Sequence, residues 1–151
     1  MKKFSKEDLS DYIRKHFKTE KYDDYVMNIT GYVYTIRIPA VVTKKEVITE
    51  DGKILREERH PESQGDEVKL DILKFGFKSN RKLQEKEVVD KFMMTFEDVE
   101  KKGYAVGFEE PLDESEDTIL IRRTYIKEFM PVDITESSKY YIPVNLKGRR
   151  K

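Results

Sequence analysis

The chain has no cysteine and no tryptophan, only seven glycines and five prolines in 151 residues, and no long apolar run. Each absence excludes something. Without cysteine there are no disulfides, no thiolate metal sites and no cysteine nucleophile. A spanning helix needs about 20 consecutive apolar residues, and the short apolar runs here cannot supply them. The opening Met1-Lys2-Lys3-Phe4-Ser5 leads into charge, unlike a secretory signal. These features point to a cytoplasmic protein, or to a virion protein if the chain is a phage component. They give no sign of a membrane or of a small-molecule substrate.

What is present is charge. Charged residues make up 40 % of the chain, against about 25 % in typical domains. Thirty basic and thirty acidic side chains cancel, and nine tyrosines with eight phenylalanines supply apolar bulk. Disorder goes with few aromatics and a large net charge, so the composition predicts a folded domain with a thin core. One domain is expected over residues 1–146, with a basic disordered tail over 147–151.

Charge is uneven along the chain. Glu109 to Asp117 holds six acids and no base, among them Glu110, Asp113 and Glu114. From Thr118 onward eight basic residues face three acids. Two surfaces of opposite sign would suit head-to-tail association.

Periodicity outlines the elements. Ser5 with Asp8 caps a first helix whose stripe is Leu9, Tyr12, Ile13, Phe17 and which fades near Lys18–Glu20. Tyr22 to Val42 alternates as one strand. Gly31 marks a bulge or bend, and Pro39 marks an edge or a strand end. Val47-Ile48-Thr49 and Ile54-Leu55 flank Asp51-Gly52, which predicts a projecting hairpin with a type I′ turn. Arg56 to Asp66 reads as a mobile loop or a frayed hairpin end. Glu67 to Phe77 is a strand with a phase slip at Ile72–Leu73. Val88, Val89, Phe92, Met93, Phe96, Val99 predict a long helix over Lys82–Lys102, started by Ser79 or Asn80 and closed by Gly103. Strands follow at Tyr104–Phe108, Thr118–Phe129 and, as an edge, Tyr140–Leu146. The expected fold is α+β: an antiparallel or mixed sheet of about five to six strands, two helices on one face, and a projecting β-hairpin.

Catalytic motifs are scarce. His16 and His60 have no metal-ligand spacing, and no G-x-S-x-G, G-x-G-x-x-G or P-loop pattern occurs. No cofactor is indicated. The acidic run Asp113–Asp117 lacks the glycine and the spacing of an EF-hand loop. Glu67-Val68-Lys69 on a strand after a hairpin carrying Asp51, followed by a helix and a strand, resembles the core order of the PD-(D/E)xK nucleases over about residues 5–108. That resemblance implies a Mg²⁺ site using Asp51, Glu67 and Lys69. In that family the first acid lies within a sheet strand, whereas Asp51 stands in a turn.

Two non-catalytic readings remain. Arg122, Arg123, Arg149 and Arg150, with exposed tyrosines, could contact nucleic acid, although the pI near 6.8 is unlike a dedicated binder. A phage or mobile-element protein that inhibits a host factor would look similar. The favoured reading is a non-enzymatic protein that works by protein–protein contact and self-association. Its contact residues would be Ile48, Asp51, Gly52 and Ile54 in the hairpin, and Glu110, Asp113 and Glu114 in the acidic loop. A leading helix, a long hairpin and a strand–helix–strand unit resemble the plan of phage tail-terminator and head–tail completion proteins, which implies a ring-forming virion component.

Overall fold

The computed structural model describes residues 4–59, 67–109, 119–132 and 141–143. A single strand organises the rest. This is β2, Ile29–Ile48, 20 residues long. A helix, α1 (Lys6–His16), and a strand, β1 (Lys18–Asp24), precede it. After it come β3 (Ile54–Arg59), β4 (Glu67–Lys69), β5 (Asp71–Ser79), α2 (Glu85–Lys102), β6 (Tyr104–Glu109), β7 (Leu120–Phe129) and β8 (Tyr141–Pro143). Six of the strands form one antiparallel sheet, while β4 and β8 pair separately. The fold is α+β.

Register shows how β2 serves four partners. Ala40 faces Asp71 of β5 and Phe129 of β7, so these strands lie on opposite edges. β1 overlaps β5 along Tyr32–Thr35 and therefore takes the β7 edge. β3 overlaps β7 along Lys44–Ile48 and takes the β5 edge. One edge thus carries β5 then β3. The other carries β1 then β7, with β6 outside β7.

Among the described residues no strand pairs with that second edge between β1 and β7, and Pro39 sits there. It lies inside a central strand, not at an edge or a strand end. In an antiparallel ladder, residues two apart point their N–H and C=O to the same side. Met130 N–H donates to Pro39 O at 2.9 Å, so Pro39 points to the β7 edge. Its missing N–H falls in the gap, and the β5 ladder loses nothing. Arg37 points the same way, and its carbonyl accepts from the Tyr12 hydroxyl at 2.6 Å. A helix side chain thereby satisfies that carbonyl where no described strand lies alongside.

Both helices cover one face. Tyr34, Ile36, Ile38, Ala40 and Val42 project from β2 into a core shared with α1 (Leu9, Tyr12, Ile13) and α2 (Val88, Phe92, Phe96, Val99). Fully burying one such side chain stabilises by roughly 1.5–3 kcal/mol. Rings run through this core in sequence: Phe17, Tyr34, Phe77, Phe92, Phe96 and Phe129 each contact the next. Tyr34 is 1 % exposed, yet its hydroxyl is satisfied by Leu83 N–H at 2.6 Å.

Local signals explain most boundaries. Ser5 and Asp8 form the expected reciprocal cap. α2 begins at Glu85 rather than at the expected Lys82. Its first turn is held by Glu87, which accepts from Gln84 N–H, while Ser79 bonds to Arg81 instead. Gly103 closes it with φ 88°. The slip near Ile72 is a change of sheet rather than a bulge. β5 pairs in unbroken register, and the break falls at buried Leu70, between β4 and β5. Gly31 makes no bulge either. Tyr22 lies flat across it, and a Cβ there would meet the ring at 2.6 Å.

Tyr12→Phe removes the hydrogen bond that α1 gives to the Arg37 carbonyl of β2. The expected loss is about 1–2 kcal/mol by denaturant unfolding, with the fold retained.

Candidate functional site

The hairpin around Asp51 forms between β2 and β3, and its β2 arm is shared with the rest of the sheet. β7 runs along β2 from Ala40 to Ile48, so only β3 is exposed throughout. Ile48 is 4 % exposed and belongs to the interior, not to an outer binding surface. Ile54 and Leu55 are each 51 % exposed. The turn is also not type I′. Thr49 N–H donates to Lys53 O, Gly52 N–H donates to Thr49 O, and Gly52 alone has positive φ, at 93°. Three residues lie between the closing pair, so a type I turn followed by a left-handed glycine fits, and Asp51 keeps an ordinary backbone. The Thr49 hydroxyl donates to the Asp51 carboxylate, which holds that carboxyl below the ordinary range.

The other predicted residues scatter. Arg122 and Arg123 are neighbours in β7 and point to opposite faces. Arg122 is exposed and lies against Gly107. Arg123 sits over the Tyr104 ring, 5.2 Å from its centre, beside Glu46. Asp51 stands in the β2–β3 turn, whereas Glu67 and Lys69 lie on β4 in the other sheet. These are not neighbouring strands. Among the described residues no three or more His, Asp or Glu side chains gather as a metal site. Glu110, Asp113, Glu114, Arg149 and Arg150 lie outside the described residues, as do His60 and the tail.

Behind the hairpin, the helix-free face carries ordered rows. Phe108, Ile121, Ile48 and Ile54 stand side by side across β6, β7, β2 and β3. The next charged row centres on Glu46, which is 5 % exposed. The Tyr125 hydroxyl, then Lys44, then Arg123 stabilise its carboxylate and hold its pKa below the ordinary range, against the opposing effect of burial. Lys44 Nζ is 3.3 Å from Glu46 and 4.4 Å from the centre of the Tyr125 ring. This cluster is internally satisfied, which suits a structural role better than a catalytic one.

The most exposed apolar group lies elsewhere, at a turn the alternation pattern hides. Tyr25-Val26-Met27-Asn28 joins β1 to β2, with Asn28 at φ 55°. The Asp24 carboxylate accepts from Val26 N–H and Met27 N–H, both at 3.1 Å, and Thr30 bonds to Asp23 at 2.9 Å. The turn is therefore built, not loose. At its tip Tyr25 is 90 % exposed, Val26 92 % and Met27 65 %, with Ile29 at 44 % behind them. The absence of Gly and Pro conceals it. The available signal is an Asp and an Asn bracketing three apolar residues, since both types tolerate tight turns.

No protein-family model, curated protein or solved structure matches this chain. Among the described residues no helix is long and apolar enough to cross a membrane.

Two outcomes test this description. Ile48→Ser is expected to lower stability by about 2–4 kcal/mol, and Ile54→Ser by less than about 1 kcal/mol. Glu46→Gln is expected to cost about 1–3 kcal/mol at neutral pH. Because the folded-state pKa of Glu46 is depressed, its contribution is complete above the ordinary glutamate pKa near 4.3 and fades as pH falls through the lowered folded value. Melting curves of the two proteins should converge in that acidic window.

Proposed function

We propose that this chain is a non-enzymatic assembly protein that acts by protein–protein contact through the β1–β2 turn. The observation that carries this reading is the tip itself. Three consecutive apolar side chains are almost bare on a turn whose backbone is already fixed by Asp24. Left in water they contribute nothing to folding. Buried in a partner, each would contribute roughly 1.5–3 kcal/mol, the scale of an interface hot spot. A preformed turn also spares the ordering cost of binding.

The finer form of the reading is self-association into a ring, as in a virion tail-terminator or completion component. A knob on one side of the molecule cannot bury itself against its own copy unless the two-fold axis passes through it. Insertion elsewhere on the next copy gives a head-to-tail contact that closes as a ring or runs on as a filament.

Gel filtration with light scattering, at two salt concentrations, tests both levels. A defined oligomer is expected, and Val26→Asp combined with Met27→Ser should dissociate it while leaving stability within about 0.5 kcal/mol. A strict monomer at the highest attainable concentration, with no partner recovered through the wild-type tip, would sink the proposal.

A further inference from the structure

The other half of the helix-free face has a different character. β5, β2 and β1 lie side by side there, and the register brings cations from three separate stretches of sequence together. Arg37 is directly opposite Lys74, Thr35 lies between Lys18 and Gly76, and Val33 lies between Glu20 and Lys78. Lys18, Arg37, Lys74 and Lys78 are all exposed. No carboxylate of the described residues forms an ion pair with any of the four, in a chain where many other cations are paired.

The Arg37–Lys74 pair is the telling one. Arg37 points its backbone away from β5, so the two residues form a non-hydrogen-bonded pair, where facing side chains stand closest. Like charges directly opposite in this way are destabilising. Glu or Gln at either position would relieve the strain. A bound anion would relieve it as well.

The surroundings suit an extended polyanion. Lys18, Thr35, Arg37 and Lys74 line a cleft of about 490 Å³ that reaches round the edge of β2 to Tyr12 and His16 of α1, with Glu20 its one acid among the described residues. Gly76 adds no side chain between the cationic rows, and the Thr35 methyl packs over it. Farther along the same face, Tyr22 lies flat over Gly31, with Lys78 Nζ 5.4 Å from its ring centre. Successive same-face rows along a strand are roughly 6.6 Å apart. A cationic trough leading to a flat aromatic ring is the arrangement that holds single-stranded nucleic acid, phosphates on the cations and a base on the ring.

We infer that this face binds single-stranded nucleic acid through Lys18, Arg37 and Lys74, with Tyr22 as a stacking platform. The site is separate from Arg122 and Arg123, and it does not depend on the turn at Tyr25–Asn28. Overall neutrality does not oppose it, because the charge is local, with Glu20 the one acid among the described residues that line the cleft.

Fluorescence anisotropy with a labelled oligothymidylate and a labelled oligouridylate tests it. Binding should weaken with salt at a log–log slope near −2, about −0.7 for each of three phosphates. Lys74→Glu should weaken binding roughly tenfold or more, and Arg122→Glu should leave it nearly unchanged. Lys74→Glu should also raise the Tm by about 1–3 °C, because it replaces a like-charge pair with an opposite one. Weaker binding together with a higher melting temperature separates a binding face from a misfolded variant. Failure of both oligonucleotides to bind, or equal damage from Lys74→Glu and Arg122→Glu, would overturn the inference. So would displacement by polyglutamate as effective as by unlabelled oligonucleotide, since that would mark a general acid-binding surface.

Discussion

Everything in this structure depends on how the backbone of β2 is shared. Twenty residues run through the middle of the sheet, and two partners follow one another along each edge. Such sharing leaves a difficulty wherever one partner stops before the next begins. Here the gap falls at Arg37–Pro39. A proline that has no N–H to satisfy and a tyrosine that reaches over from α1 resolve it together.

The same strand divides the molecule into two kinds of surface. Its even-numbered residues from Tyr34 to Val42 enter the helix-covered core. Beyond that, register shifts between Val41 and Lys44 re-phase the strand, so that Lys44, Glu46 and Ile48 face away from the helices. A bulge of this sort changes which side chains meet without ending the ladder. The helix-free face therefore has an internally paired half around Glu46 and a half around Arg37 whose cations pair with no carboxylate among the described residues. The apolar turn projects from the end of β1 and β2. Contact with a protein and contact with nucleic acid would then use different parts of one small sheet.

Much of the architecture was legible in the sequence, and the exceptions share a cause. Both helices announced themselves because an apolar stripe and a cap are local signals: Ser5 with Asp8, and Gly103 after Val99. The class of the sheet followed from alternation. What escaped were features set by neighbours distant in sequence. Pro39 looked like an edge because a single strand cannot show that its partners change beside it. Ile48 looked like the outer face of an arm because β7, some seventy residues later, is what makes β2 an inner strand beside it. The turn at Tyr25–Asn28 was lost inside an apparently continuous strand because it contains neither glycine nor proline. The cationic face was invisible for the plainest reason. Lys18, Arg37, Lys74 and Lys78 are scattered over sixty residues, and only the register collects them. Arg122 and Arg123, adjacent in sequence, attracted attention that their opposite orientations do not support.

The order in which β2 acquires its partners has a consequence during synthesis. β1 and β3 flank it closely in sequence and can pair as soon as they emerge. β7 arrives last, after the whole of α2 and β6, and must find the far half of the strand across a long stretch of chain. Pairings of this kind are slow to form, and until they do the strand presents an open edge to other nascent chains. Pro39 stands at the start of that waiting edge and offers a stray strand no N–H to bond.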